Sequence, residues 1–258
     1  MAQHIRLAKL TDPPRNVGDW VETETARDIT RSLDMVIASE APSFTMISGG
    51  PGTGKTTTIT RFCERLGQDA LLITAVEGEG KVSDFAELLK NMWGNFPYRR
   101  SLAETRVTLA EMIGPGKTLL IDEAQYLNQK NAKTGQTGAA FEWARGLADI
   151  GKLNLVFCGD LDLPRAIEAK PQLQSRMMRP VLIRHASRAD VAAIVAGTRL
   201  DRVEFGDVLH GVAKLKGGLR NVVNVARTAQ LFAGDGEVTL EHIRAAILDM
   251  KLGKGSKA

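Results

Sequence analysis

The chain has 258 residues, 43% hydrophobic and 25% charged, with a formal charge of +4 and a pI near 9.1. These values exclude a disordered or collagen-like chain and leave room for one large domain, or one with a small companion. No apolar run is long enough to cross a bilayer and residues 1–12 carry no apolar signal core, so a cytoplasmic protein with no membrane partner is expected.

Residues 1–18 read as an irregular arm, because Pro13-Pro14 breaks any helix there. A helix is predicted over 21–38, with Ile29, Leu33 and Val36 on one side. Residues 43–48 are short, β-prone and partly apolar, and read as a strand. The next stretch, Gly49-Gly50-Pro51-Gly52-Thr53-Gly54-Lys55-Thr56, fits G-x-x-x-x-G-K-[ST], a phosphate-binding loop. Its glycines let the backbone turn tightly and aim N–H groups at one anion. A helix opening near Lys55 and running on through Thr57 adds the positive end of its dipole. Lys55 is expected on the β- and γ-phosphates of ATP, and the Thr56 hydroxyl on Mg²⁺. Ile59, Phe62, Cys63 and Leu66 follow at helical spacing, so strand, loop and helix come in the right order.

Residues 70–75 form a compact apolar run and read as a second buried strand. A flexible loop, 76–81, leads to a helix carrying Phe85, Leu88, Leu89 and Met92. Ser101-x-x-Glu104 is a capping-box signature opening a helix with Leu102, Val107, Leu109 and Ile113. Residues 118–123 are an apolar strand ending in Asp122-Glu123, and a polar loop, 128–138, precedes a helix with Phe141, Trp143, Ala144 and Leu147. Residues 153–158 and 180–183 read as two more strands, with a short helical piece bracketed by Pro164 and Pro171 between them. From Ser187 the pattern is helical throughout, with stripes at Val191, Ile194 and Val195, at Leu219 to Ala229, and at Leu240 to Met250. Alternating strands and helices imply a parallel three-layer α/β sheet. The expected division is an arm at 1–18, an α/β core at 19–185, a helical lid at 186–252 and a frayed tail at 253–258.

Carboxylates at the carboxyl end of a neighbouring buried strand lie where ligands bind in such sheets. Asp122 is therefore expected to hold Mg²⁺, and Glu123 to orient and deprotonate the attacking water. Asp160, after the next strand, can touch the γ-phosphate or the water, or serve only as a turn residue behind Gly159. Arg176 and Arg179 can reach a neighbouring subunit's γ-phosphate, against the alternative of ordinary surface arginines. Arg220 opens a lid helix and can meet the nucleotide across the cleft. The two cysteines, Cys63 and Cys158, and the scattered histidines show no metal or redox spacing.

Together the glycine loop, Leu119-Leu120-Ile121-Asp122-Glu123-Ala124, Ser175-Arg176-Met177-Met178-Arg179 and Gly217-Gly218-Leu219-Arg220-Asn221 resemble an AAA+ ATPase. There they would be Walker A, Walker B, the arginine-finger segment and sensor 2. More narrowly, residues 20–25, Asp122-Glu123-Ala124, Ser175-Arg176 and residues 217–220 followed by 241–246 resemble the family of phage Mu transposition protein B. The likeness runs from about residue 14 to 252. It implies ATP binding, helical filaments or rings on double-stranded DNA, and delivery of target DNA to a transposase that stimulates hydrolysis. By position it makes Arg176 the favoured finger and Asp160 the sensor-1 residue, and it places Val21 and Thr23 near the adenine. The nucleotide set is then Gly50, Pro51, Gly52, Thr53, Gly54, Lys55, Thr56, Thr57, Val21 and Thr23. Two departures stand out: the chain starts too close to the ATPase for the extra N-terminal helix-turn-helix domain, and sensor 1 is an acid where Asn, Thr or Ser is usual.

Low aromatic content, 5%, argues against holding single strands by stacking and favours phosphate contacts on duplex DNA. Lys81, Arg99 and Arg100 are the first candidates, because the corresponding loops line the channel of the resembling filaments; Lys130 and Lys133 are the second. A replication initiator or helicase loader is the alternative class, and a small-molecule P-loop kinase a third.

Overall fold

Five of the apolar runs form one parallel sheet in this computed structural model, which describes residues 14–92, 96, 101–130 and 135–252. Arg99, Arg100 and Lys133 lie outside the described residues. The first half runs α1 (Glu24–Ala38), β1 (Phe44–Gly49), α2 (Lys55–Leu66), β2 (Ala70–Thr74), α3 (Val82–Lys90) and α4 (Leu102–Ile113). β3 (Thr118–Asp122), α5 (Ala139–Gly151), β4 (Asn154–Gly159), α6 (Leu163–Glu168), α7 (Pro171–Gln174) and β5 (Val181–Ile183) follow. The chain ends in α8 (Arg188–Val195), α9 (Gly206–Ala213), α10 (Gly218–Ala233) and α11 (Leu240–Asp249).

The strand order is β2-β3-β4-β1-β5. Period-two alternation divides the strand residues between two apolar layers. Leu119, Ile121, Leu155 and Phe157 pack with Phe85, Leu109, Phe141 and Leu147 of α3, α4 and α5. Leu120, Val156 and Cys158 face the other way, onto Ile29 and Leu33 of α1 and Ile59 and Phe62 of α2. This is the expected three-layer α/β sheet. The helices α8 to α11 bury their own cluster, including Val191, Leu209, Val222, Ala226 and Ile243. Val17 is buried in that cluster, and Arg227 Nε donates to its carbonyl at 3.0 Å, so the segment before α1 is strapped to the C-terminal helices.

Several expectations need correction. The first helix begins at Glu24 rather than 21, because Thr23 is its N-cap and accepts from Ala26 N–H at 3.1 Å. The capping box at Ser101 and Glu104 is present, yet Leu102 and Val107 face solvent. Leu109 and Ile113 of the same expected set are buried, with Ala110, since α4 is apolar on more than one side and only one side meets α5. The helical piece bracketed by Pro164 and Pro171 is α6, and a second short helix, α7, opens at Pro171; each has proline in its first turn, where the missing N–H costs nothing. α9 was not anticipated: Gly206, His210 and Gly211 dilute the Leu209, Val212 and Ala213 stripe. β3 is also not β1's neighbour, because β4 lies between them.

Polar contacts tie the start of α8 to α1. Ser187 and Asp190 form the capping box of α8, and the fully buried Asp190 carboxylate also accepts from Thr25 N–H at 2.9 Å and Thr25 Oγ1 at 2.7 Å. Burial alone would raise its pKa, but the hydrogen bonds from Thr25 and Ser187 outweigh burial and hold it below the usual carboxylate value. A depressed folded-state pKa means stability that is present above the ordinary carboxylate range and lost as pH falls through the folded value. Asp190→Asn should therefore cost about 1–3 kcal/mol at neutral pH, as expected for hydrogen bonds to a buried charge. Urea melts of both proteins across an acid series check this; the gap should close as pH falls, and a constant gap would contradict it.

Candidate nucleotide site

The phosphate loop is fixed by contacts that only glycine permits. A Cβ on Gly49 would lie 2.8 Å from Ile183 O, and one on Gly52 1.8 Å from Gly217 O. Gly52 and Gly54 have φ of +73° and +89°, in the left-handed region. Gly52 O accepts from Leu219 N–H at 2.9 Å, so the start of α10 is seated directly on the loop. Thr53 Oγ1 donates to Gly50 O at 2.9 Å, and Lys55 Nζ donates to Gly49 O at 2.7 Å and Gly50 O at 3.0 Å. The ammonium thus sits over the loop it closes, with α2 opening at Lys55 behind it.

Asp122 comes from β3, the next strand but one, and still reaches α2: Thr56 Oγ1 donates to its Oδ2 at 2.8 Å. Its Oδ1 accepts from Glu123 N–H at 3.0 Å. The Cys158 thiol also hydrogen-bonds Asp122; burial first, then the adjacent carboxylate, pushes that thiol's pKa up and keeps it protonated. Cys63 is pushed up to about 11, mainly by burial. Neither cysteine is a nucleophile here. Asp122 and Thr56 present hard oxygen atoms side by side, the donor type Mg²⁺ takes when its other ligands are phosphate oxygens and water. Among the described residues no cluster of three or more His, Cys, Asp or Glu could hold a metal by itself.

Glu123 has φ +52°, a conformation rare for a non-glycine residue, which turns the chain out of β3 into a single 3₁₀ turn. Gln125, in that turn, donates from Nε2 to Glu123 Oε2 at 2.6 Å.

A cleft of about 520 Å³ gathers most of the expected residues. Pro51, Gly52, Thr53, Gly54, Lys55, Thr56 and Thr57 line it, with Glu123, Val21, Thr23 and Arg220. Gly50 lies in the same loop and donates N–H to Ile183 O at 3.2 Å. Trp20, Ile194, Val223 and Arg227 are also among its walls, and Trp20 packs under Arg61 at 4.4 Å from its ring centroid. These four were not picked out as site residues from the sequence. A signal existed for Val223 and Arg227, which recur with Arg220 at helical spacing along one face of α10. A larger cleft, about 830 Å³, lies between α1 and residues 182–190 but has no phosphate loop.

Other expected residues stand apart. The Asp160 carboxylate accepts from Asp162 N–H at 2.9 Å, and its carbonyl accepts from Ser48 Oγ at 2.6 Å, so its side chain is engaged in its own turn. Arg176 pairs with Asp149 of α5 and lies 5.7 Å from the Phe44 ring centroid, at the opposite end of β1 from the phosphate loop. Arg179 pairs with Asp28 of α1, and its carbonyl accepts from Ser32 Oγ at 2.7 Å, which makes it a clamp between α1 and the approach to β5. Lys81 is the N-cap residue of α3. Lys130 forms an isolated bridge with Thr137 at the foot of the polar loop.

A parallel sheet that carries a glycine loop between β1 and α2, with an acidic pair ending β3, defines the class of P-loop α/β proteins. Residues 38–167 match the AAA domain family, a stretch spanning half of the chain, and the protein belongs to that family. Residues 175–250 match a second family, the C-terminal part of the Mu B transposition protein. No curated protein matches the sequence. Among solved structures, the fold is similar to the Aeropyrum pernix ORC1 protein in complex with DNA, with a TM-score of 0.61 and 16% identity over 91% of this chain and 67% of that one. Domain III of the Thermotoga maritima replication initiation protein DnaA gives 0.54 and 20%, over 92% and 98%. AMPPCP-bound DnaA from Aquifex aeolicus gives 0.55 and 18%, over 93% and 71%. No helix among the described residues is long and apolar enough to cross a membrane.

Proposed function

We propose that this protein is an ATP-hydrolysing AAA+ protein that assembles on duplex DNA as a helical filament and delivers that DNA to a transposase. The observation that carries the reading is the union, in one chain, of a complete phosphate-loop site with a segment similar to the C-terminal part of the Mu B transposition protein. The division into an α/β core and a helical lid near residue 186 belongs to the same proposal.

In this reading the loop N–H groups and Lys55 neutralise the β- and γ-phosphates. Thr56 and Asp122 would hold Mg²⁺, which when bound withdraws charge from the phosphate oxygens. Glu123 accepts the proton of the attacking water. Arg220 faces the nucleotide from α10, while Val21 and Thr23 border the base end of the cleft. Lys81 contacts DNA phosphate with Arg99 and Arg100, so recognition is independent of base sequence.

Electron microscopy of the protein with duplex DNA and ATP, ADP or no nucleotide tests the reading. Ordered filaments are expected with ATP and naked duplex. Assembly only in the presence of a replicative helicase would replace it with the initiator or loader class. Lys55→Ala should weaken nucleotide binding about 10- to 100-fold, the worth of a charge-assisted contact of roughly 1.5–3 kcal/mol, and should abolish assembly of the variant on its own. Normal affinity and normal filaments in this variant would remove Lys55 from the site.

A further inference from the structure

We infer that Gln125 is a positioning residue: its amide links the Glu123 carboxylate to the end of β4 and fixes the direction in which that carboxylate points. The inference rests on the reading of Glu123 as the base.

The side chain makes two contacts of opposite polarity. Gln125 Nε2 donates to Glu123 Oε2 at 2.6 Å, and Gln125 Oε1 accepts from Asp160 N–H at 3.1 Å. An amide carries no charge and can donate on one arm and accept on the other in a fixed plane. The surrounding backbone is shaped to receive it. A Cβ on Gly159 would lie 2.5 Å from Gln125 Oε1, so the glycine that ends β4 makes room for the amide oxygen. Ser48 Oγ, from β1, holds the Asp160 carbonyl at 2.6 Å and so fixes the N–H end of the link. Glu123 itself sits in a left-handed turn, with φ +52°. Glu123 borders the cleft and Gln125 does not, so Gln125 acts through Glu123 and not on the nucleotide.

The link has a consequence for Asp160. An acid at this position is a poor partner for a γ-phosphate. Its carboxylate is occupied with Asp162 N–H, while its backbone N–H supports the base through Gln125. Position 160 thus contributes through main chain rather than side chain.

The test compares steady-state ATP hydrolysis on duplex DNA, and equilibrium binding of a non-hydrolysable ATP analogue, for wild type, Gln125→Ala, Gln125→Glu, Glu123→Gln and the Glu123→Gln/Gln125→Ala double variant. Gln125→Ala should lower kcat about 10- to 100-fold, as a base displaced by an ångström does, with KM and analogue affinity unchanged. Gln125→Glu keeps the shape and the acceptor for Asp160 N–H but cannot donate to Glu123. It should lose kcat at least as strongly, and it decides the matter if Gln125→Ala does not fold. The double variant should be no slower than Glu123→Gln alone, because the link acts only through the base. Wild-type kcat in Gln125→Glu, a parallel loss of analogue binding, or an additive loss in the double variant would each overturn the inference and leave the role of Glu123 standing. Wild-type turnover in Glu123→Gln would instead overturn the earlier reading, and this one with it.

Discussion

Glu123→Gln is expected to bind Mg–ATP as wild type does and to hydrolyse it about 10²–10⁴ times more slowly, the usual worth of a positioned general base. Binding survives because Lys55, Thr56 and Asp122 are untouched, and the hydrogen bonds from Thr56 to Asp122 and from Lys55 to the loop carbonyls do not pass through Glu123. The amide has the shape of the carboxylate but no basic lone pair for the proton of water. Because the proposed filament is held by bound ATP, the variant should also leave filaments that outlast those of wild type on DNA. Single-turnover hydrolysis and filament lifetime after dilution measure the two effects. Wild-type turnover would take Glu123 out of the chemistry, and slow turnover with short-lived filaments would break the link between hydrolysis and disassembly.

The strands and the loop were legible because their signals are local. Short apolar runs bounded by polar turns gave all five strands, and the glycine spacing gave the phosphate loop before any contact was known. Strand order was not local, so β3 read as a neighbour of β1 when β4 separates them. Asp122 reaches Thr56 nonetheless, because both lie at the carboxyl edge of one twisted sheet. The capping box at Ser187 and Asp190 was available three residues apart, but the second task of Asp190, holding Thr25, joins residues 165 apart in sequence. The walls of the cleft had the same difficulty: Trp20 and Arg227 share one cleft with the phosphate loop, and the segment before α1 is strapped to α10 by Arg227 and Val17. Gln125 was missed for a different reason. A glutamine beside an acidic pair has no motif of its own, and it takes Gly159, at the end of β4, to show that space is kept for it.

Arg176→Ala is expected to lower ATP hydrolysis in assembled protein by about 10³–10⁵-fold, the range of arginine fingers in phosphoryl transfer. The geometry excludes an action on its own nucleotide. Arg176 lies over Phe44, where β1 begins, while the phosphate loop follows Gly49 at the other end, about 16 Å away at the rise of a strand. Its guanidinium is held outward by Asp149 of α5, and its side chain keeps 39% of its surface exposed. Any γ-phosphate it meets therefore belongs to another copy. Arg179 is the weaker candidate of the two, since Asp28 and the backbone of α1 already engage it. The test is complementation. Arg176→Ala retains an intact nucleotide site and Lys55→Ala retains an intact finger, so each alone should be inactive. A mixed filament places some intact sites beside intact fingers, and hydrolysis should return in part, with a maximum near equal proportions. The unmixed Arg176→Ala protein should still bind the ATP analogue, because nothing it lacks touches its own cleft. If mixed filaments form and no ratio restores hydrolysis, Arg176 does not act between subunits. If Arg176→Ala alone hydrolyses ATP at the wild-type rate, the residue is a surface partner of Asp149 and nothing more.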